Sequence, residues 1–381
     1  MSSIRPDVDP EGLLEYSVVF TDRSLNHMSH SFQDVMRDIS TTLKSVYNAT
    51  SVAIVPGGGT YGMEAVARQF ATGKDCIVIR NGWFSFRWSQ IFDAGNIPSS
   101  CTVLKAQPSD NSATPSYAPA TIEEVVAAIR LHKPSLVCAP HVETSAGMIL
   151  PEAYMRAVSD AVREVGGLFV LDCIASGTIW VDMEAAGVDI LISAPQKGWS
   201  ASPCAALVMM NDRARKVIDQ TTSTSFVCDL KKWLSIMETY EGGGHAYHAT
   251  MPTDALVKFH EAMKETQVYG FDKIFDEQQE LGDKMRAMLE RNGFKSVAAD
   301  GFKAPGVIVS YTDAVEVQNG SRFVAEGVQI AAGVPLECDE SDDFRTFRLG
   351  LFGLDKLQNI DRTVANFENA LKKVLSDTNV R

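Results

Sequence analysis

Apolar and polar positions alternate along the chain in a strand-and-helix rhythm. Short apolar runs, SVAIV (51–55), CIVI (76–79), SLVCA (135–139), LFVL (168–171) and DILIS (189–193), each end in polar or glycine-rich residues. Helical patterns separate several of them. Phe32, Val35, Met36, Ile39, Leu43 and Val46 recur at three- and four-residue spacing, and PEAYMRAVSDAVREVGG (151–167) forms a second such stretch. Strands that are apolar throughout, with polar residues only at their carboxyl ends, belong to a parallel sheet covered by helices. The pattern therefore predicts an α/β fold whose ligand site lies along the carboxyl edge of the sheet.

The rhythm changes near Thr253. Two long helical patterns, around ALVKFHEAM (255–263) and FDKIFDEQQELGDKMRAMLERNG (271–293), precede short strands in GVIVSY (306–311) and FRTFRLGLFG (344–353) and a last helix in DRTVANFENALKKVL (361–375). This predicts an N-terminal segment and large domain over 1–252 and a small α+β domain over 253–381.

Composition narrows the function classes. With 381 residues, 45% of them hydrophobic, the chain can bury one large core and a second, smaller one. A net charge of −13 argues against nucleic acid or an anionic membrane as partner. No run is long enough to span a membrane, and the acidic start MSSIRPDVDPEGLLEYS lacks the apolar core of a signal peptide, so a cytoplasmic location is expected. The seven cysteines are scattered with no CxxC pair, which suits reduced thiols and predicts no metal site.

Candidate chemistry collects at the ends of the apolar runs. In SVAIVPGGGTYGMEAVARQF (51–70) a strand meets a helix through three glycines. Bare backbone N–H groups at Gly58 and Gly59, with the Thr60 hydroxyl, suit a phosphate at a helix start, although Thr60 can equally serve as a helix cap. The pattern is neither a P-loop nor a GxGxxG fingerprint. In RNGWFSFRW (80–88), one of Trp83, Phe84, Phe86 or Trp88 can stack on a planar ring, or all can fill the core. His141, Glu143, Thr144 and Ser145 follow SLVCAP, Asp172 ends LFVLD, and Lys197 follows DILISAPQ. By itself METYEGGGHAYHATMPTDAL (237–256) reads as a loop.

A carboxylate and an amine at the ends of adjacent buried strands suit pyridoxal 5′-phosphate (PLP). The amine bonds to its aldehyde, and the carboxylate keeps the pyridine nitrogen protonated. Gly58, Gly59, Thr60, Phe84 and Thr144 can supply the phosphate cradle, the stacking ring and a hydrogen bond to the ring hydroxyl. With these residues in place, the sequence resembles the class V, fold type I PLP aminotransferases, in the branch of the alanine–glyoxylate, serine–glyoxylate and 2-aminoethylphosphonate–pyruvate enzymes. The resemblance runs from about Asn26 to the C-terminus. It rests on GGGTYGMEA, RNGWFSFR, HVETSAG, LDCIASG, SAPQKG, YHATMP and FRLGLFG.

The resemblance implies a mainly parallel seven-stranded sheet and a residue-by-residue site. Lys197 matches the cofactor-bearing lysine, Gln196 a phosphate contact and Asp172 the partner of the pyridine nitrogen. Gly58, Gly59 and Thr60 fall on the phosphate turn, Phe84 on the stacking position, and Thr144 on the contact to the ring hydroxyl. Tyr247 and Thr250 match a pair that reaches the phosphate of the other subunit, which implies a homodimer with shared sites. Arg348 matches the arginine that clamps the substrate carboxylate, a task suited to a bidentate guanidinium. Without the resemblance, Arg348 reads as a solvated strand charge.

The implied activity is ping-pong transfer of an amino group from a small amino acid or aminophosphonate to glyoxylate or pyruvate. Two rivals stand beside it: a PLP lyase acting at the substrate Cβ, and a noncatalytic PLP-fold binding protein. One departure from the family pattern bears on substrate choice. The segment YSVVFTDRSLNHMSHSF is shortened and lacks the usual PGP turn, which leaves Arg23, Ser24 and His27 either as contacts to the substrate side chain or as plain loop residues.

Overall fold

The computed structural model describes residues 13–14, 16–18, 20 and 24–376. Seven strands form the main sheet: β1 (Ser51–Pro56), β2 (Asp75–Arg80), β3 (Ser100–Lys105), β4 (Leu136–Pro140), β5 (Leu168–Asp172), β6 (Ile190–Ser193) and β7 (Ala205–Met210). Their order is β1-β7-β6-β5-β4-β2-β3. Only β7 pairs antiparallel, with β1 on one side and β6 on the other. β4, β5 and β6 are buried along their whole length, as continuous apolar runs in a doubly covered sheet require.

Helices on both sides follow the predicted patterns. In α1 (His30–Tyr47), the Ser29 hydroxyl accepts the Phe32 N–H at 3.2 Å and Asn48 ends the helix in a left-handed conformation. Its stripe Phe32, Val35, Met36, Ile39 and Leu43 is buried in the main core. α2 (Gly59–Val66) and α3 (Trp83–Gly95) start just beyond the carboxyl ends of β1 and β2, which aims two helix N-termini at one edge of the sheet.

α4 (Thr253–Tyr269) buries Leu256, Phe259 and Met263 in the main core. α5 (Phe271–Arg291) turns to a second core built on Ile274, Leu281, Met285, Phe323 and Phe347. There β8 (Val307–Tyr311), β9 (Ala331–Ala332) and β10 (Thr346–Gly350) form an antiparallel sheet in the order β8-β10-β9. A third cluster, including Tyr117, Val142, Met148, Val307 and Leu336, joins the two layers. Among the described residues no helix is long and apolar enough to cross a membrane, and no group of three or more metal-ligating side chains occurs.

Candidate active site

Strand register brings the chemistry to one edge. Asp172, the last residue of β5, lies opposite Pro140 of β4 and Ile192 of β6, so the residues that follow each strand emerge side by side. Lys197 comes five residues after Ile192, on a loop that is anchored rather than loose. Trp199 is fully buried, 4.7 Å from Trp180 between ring centres and in edge contact with Tyr47, Phe259 and Phe271. Gly198 passes so close to the backbone of Gly177 that a Cβ would stand 1.8 Å from its carbonyl oxygen.

A cavity of about 340 Å³ opens here, within the range of small-ligand sites. Its walls include eight residues singled out in the sequence: Gly59, Thr60, Phe84, Thr144, Asp172, Gln196, Lys197 and Arg348. Gly58 is the N-cap of α2 and gives that helix no side-chain cap; the Tyr61 N–H bonds to the Gly58 carbonyl at 2.9 Å, so it is the N–H groups of Gly59 and Thr60 that suit a ligand. Tyr247 and Thr250 are not among the lining residues of the single chain. Both are exposed, and their hydroxyls bond to each other at 2.9 Å.

Burial sets the acid–base properties of the pair. The Asp172 carboxylate accepts the Ile174 N–H at 2.9 Å, yet desolvation pushes its pKa up to about 7, aided by the negative charge of Glu143 and opposed by Arg87. A protonated nitrogen in the cavity would relieve that penalty. Burial also lowers the Lys197 ammonium, and the positive charge of Arg348 lowers it further, so the free amine becomes more accessible. The Lys197 Nζ lies 5.2 Å from the ring centre of Phe352. Arg348 donates from Nε to the Ala332 carbonyl at 2.7 Å and places its guanidinium 5.3 Å from the Phe84 ring.

The polar residues after β4 divide into two uses. Thr144 faces the cavity, whereas Glu143 is fully buried beneath it. The Glu143 carboxylate accepts the N–H groups of Phe84, Ser85 and Ser145 and both serine hydroxyls, at 2.7–3.2 Å. It therefore closes the start of α3 and fixes the backbone of Phe84. His141 is buried, with Nδ1 2.7 Å from the Ser176 hydroxyl, and desolvation pushes its pKa down to about 4.

Several wall residues were not anticipated, among them Arg87, Ile174, Ala331 and Phe352. Arg87 had a sequence signal, since it stands one helical turn after Phe84. Phe352 comes from the turn just after β10 of the second sheet and had none. In the shortened N-terminal segment, Arg23 lies outside the described residues. His27 is buried away from the cavity walls, with ring contacts to Phe20, His245 and Tyr247 at 5.4–6.0 Å, and Ser24 is not a wall residue either.

The assembled cavity can seat an anion at the start of α2, a planar ring beside Phe84, a ring N–H against Asp172 and a carbonyl at Lys197. Gln196 adds a buried Oε1 with no hydrogen-bond partner among the described residues, and because the two ends of an amide are interchangeable, an N–H₂ there would serve an anion.

Comparison with known proteins gives the family and the fold. Residues 13–338 match the family model described as aminotransferase class-V. A Synechococcus protein named soluble hydrogenase, small subunit, is 25% identical over 360 residues, covering 93% of this chain and 87% of its own. The alanine–glyoxylate aminotransferase of Mus musculus is 24% identical over 363 residues, covering 92% and 83%. Among solved structures, an alanine–glyoxylate aminotransferase from Nostoc sp. superposes with a TM-score of 0.77 at 21% identity, covering 92% of this chain and 88% of that one. The family match spans most of the sequence, and the chain belongs to the class-V aminotransferases.

Proposed function

We propose that the chain is a PLP-dependent transaminase that moves an amino group from a small amino acid or aminophosphonate to glyoxylate or pyruvate. The observation that carries this reading is the pairing, in one cavity, of a carboxylate raised to about 7 by burial with a lysine whose ammonium is lowered. An acid of that kind calls for a cationic ring nitrogen, and an amine of that kind for an aldehyde. Glyoxylate as acceptor is favoured by the relatives, which include alanine–glyoxylate aminotransferases and an L-aspartate–glyoxylate aminotransferase.

When bound, PLP supplies an aldehyde for amine exchange and a protonated ring that draws electrons from the substrate Cα. The first turn of α2, with Gly58, Gly59, Thr60 and Gln196, holds the phosphate, and Phe84 stacks on the ring. Asp172 keeps the ring nitrogen protonated, and Thr144 meets the ring hydroxyl. Arg348 binds the substrate carboxylate through its guanidinium fork. Lys197 would hold the cofactor aldehyde at Nζ, and its lowered ammonium suits the free amine to take up and give back the proton of the substrate Cα.

Tyr247 and Thr250 reach the phosphate of the other subunit in a homodimer. Their exposure in the single chain, where their hydroxyls bond to each other, supports that assignment. The large PLP-binding domain extends over 1–252 and the small domain over 253–381, and the protein works in the cytoplasm. A Cβ lyase of the desulfurase kind needs a mobile cysteine, and no cysteine lines the cavity.

The test is to mix the protein with an amino donor alone. A transaminase releases one equivalent of oxo acid per site and stops until an acceptor is added. Continuous product without acceptor would overturn the reading in favour of a lyase.

A further inference from the structure

Arg87 is a half-buried cation in the cavity wall with no carboxylate partner. Among the described residues no acidic oxygen lies within ion-pair distance of its guanidinium, although most other arginines of the chain have such a partner or a carbonyl. It instead donates from Nη1 to the Thr60 hydroxyl oxygen at 3.0 Å and sets its guanidinium 5.3 Å from the Phe84 ring centre. Thr60 and Phe84 begin separate helices, α2 and α3, at the ends of separate strands. One side chain thus ties the expected phosphate turn to the expected stacking ring.

The chemistry of the Thr60 hydroxyl gives this tie a direction. A hydroxyl has one proton to donate and can accept from others. When a guanidinium N–H fills an acceptor site of Thr60 Oγ1, its own proton is free to point elsewhere, and the charge-assisted bond makes that proton a stronger donor. The open direction at the start of α2 is the cavity.

We propose that Arg87 is a positioning residue of the phosphate cradle, orienting the Thr60 O–H toward the bound phosphate while holding the Phe84 ring against the cofactor. The inference rests on the reading of Gly58–Thr60 as the phosphate turn. Arg87 acts through Thr60 and Phe84 and touches no reacting atom. Its charge also favours ionised Asp172, a third residue of the proposed cofactor site.

The experiment compares dissociation constants of the full-length protein for PLP and for pyridoxal, which lacks the phosphate. The wild type is expected to favour PLP strongly. A wild-type ratio near one would overturn the phosphate turn itself, and with it this inference. Given strong wild-type preference, Arg87→Met and Thr60→Val should each reduce the PLP-to-pyridoxal preference by about tenfold, the worth of one hydrogen bond to a charged group. The double variant should lose little more than either single one, because both act on the same Thr60 O–H. An unchanged preference in Arg87→Met, or losses that multiply in the double variant, would overturn the role of Arg87 and leave the phosphate turn standing. If Arg87→Met does not fold, Arg87→Gln is read on the same ratio, with at least a threefold loss expected and no loss overturning the proposal. A merely structural arginine would weaken PLP and pyridoxal alike.

Discussion

The carboxylate of Glu143 accepts the backbone N–H of Phe84 at 3.2 Å across 59 residues of sequence. The ring proposed to stack on the cofactor is therefore held from below by a buried acid on the neighbouring strand connection. Both oxygens of Glu143 receive N–H and O–H donors, so an amide in its place would turn an N–H₂ group against some of them. Glu143→Gln should cost about 2–3 kcal/mol of stability, measured by urea unfolding, and should weaken PLP binding in parallel. Unfolding at the wild-type midpoint would refute this.

The lysine loop is constrained from its other side. At Gly198 a Cβ would meet the Gly177 carbonyl oxygen at 1.8 Å, and backbone on both sides leaves no flexible group to yield. Gly198→Ala should lose more than about 3 kcal/mol and lower the thermal midpoint by several degrees. An unchanged melting curve would contradict the close approach.

Burial of Asp172 predicts a pH dependence in the cofactor-free protein. Its pKa rises from 3.8 to about 7 on folding, so the folded chain keeps a proton that the unfolded chain has released. The stability it contributes is full below about pH 4 and is lost as pH rises toward 7. His141 has the opposite slope, since its pKa falls from 6.5 to about 4 and its contribution is lost as pH drops. The comparison of wild type with Asp172→Asn isolates the first effect. Between pH 5 and pH 8 the wild type should lose about 2 kcal/mol relative to the variant. PLP should abolish the difference by placing a cation at the carboxylate, and a difference that persists with PLP bound would remove Asp172 from the ring nitrogen.

Arg348 has two separable effects. As the carboxylate clamp, its change to Met should raise KM for the amino donor by roughly 10–100-fold. As the cation that lowers Lys197, its loss should also move the alkaline-side ionisation of Lys197 upward. Steady-state kinetics across pH checks both, and a KM within twofold of wild type would assign the clamp elsewhere.

Much of the site was legible because its residues end apolar runs. The acid at the end of LFVLD and the amine after DILIS follow from a buried parallel sheet, which leaves polar residues only at its edge. The helix of Phe32 to Leu43 followed from its spacing in the same way. Ala331 and Phe352 were hidden because they enter the cavity through tertiary approach, from β9 and from the residues just after β10 of the second sheet, whereas Arg87 was legible only through the helical spacing that puts it on the face of Phe84. Glu143 was noticed as polar, but its use as a helix cap depends on where α3 begins relative to β4. The turn of packing from the main core to the second core falls between α4 and α5, one helix after the change in sequence character at Thr253.

Lys197 is the residue expected to bear the cofactor. Borohydride reduction of the PLP-loaded protein, followed by proteolysis and mass spectrometry, tests it directly. The cofactor-derived mass is expected on the peptide containing Lys197, with its complete loss in Lys197→Ala while the fold is retained. The label on another lysine, or on none, would contradict it.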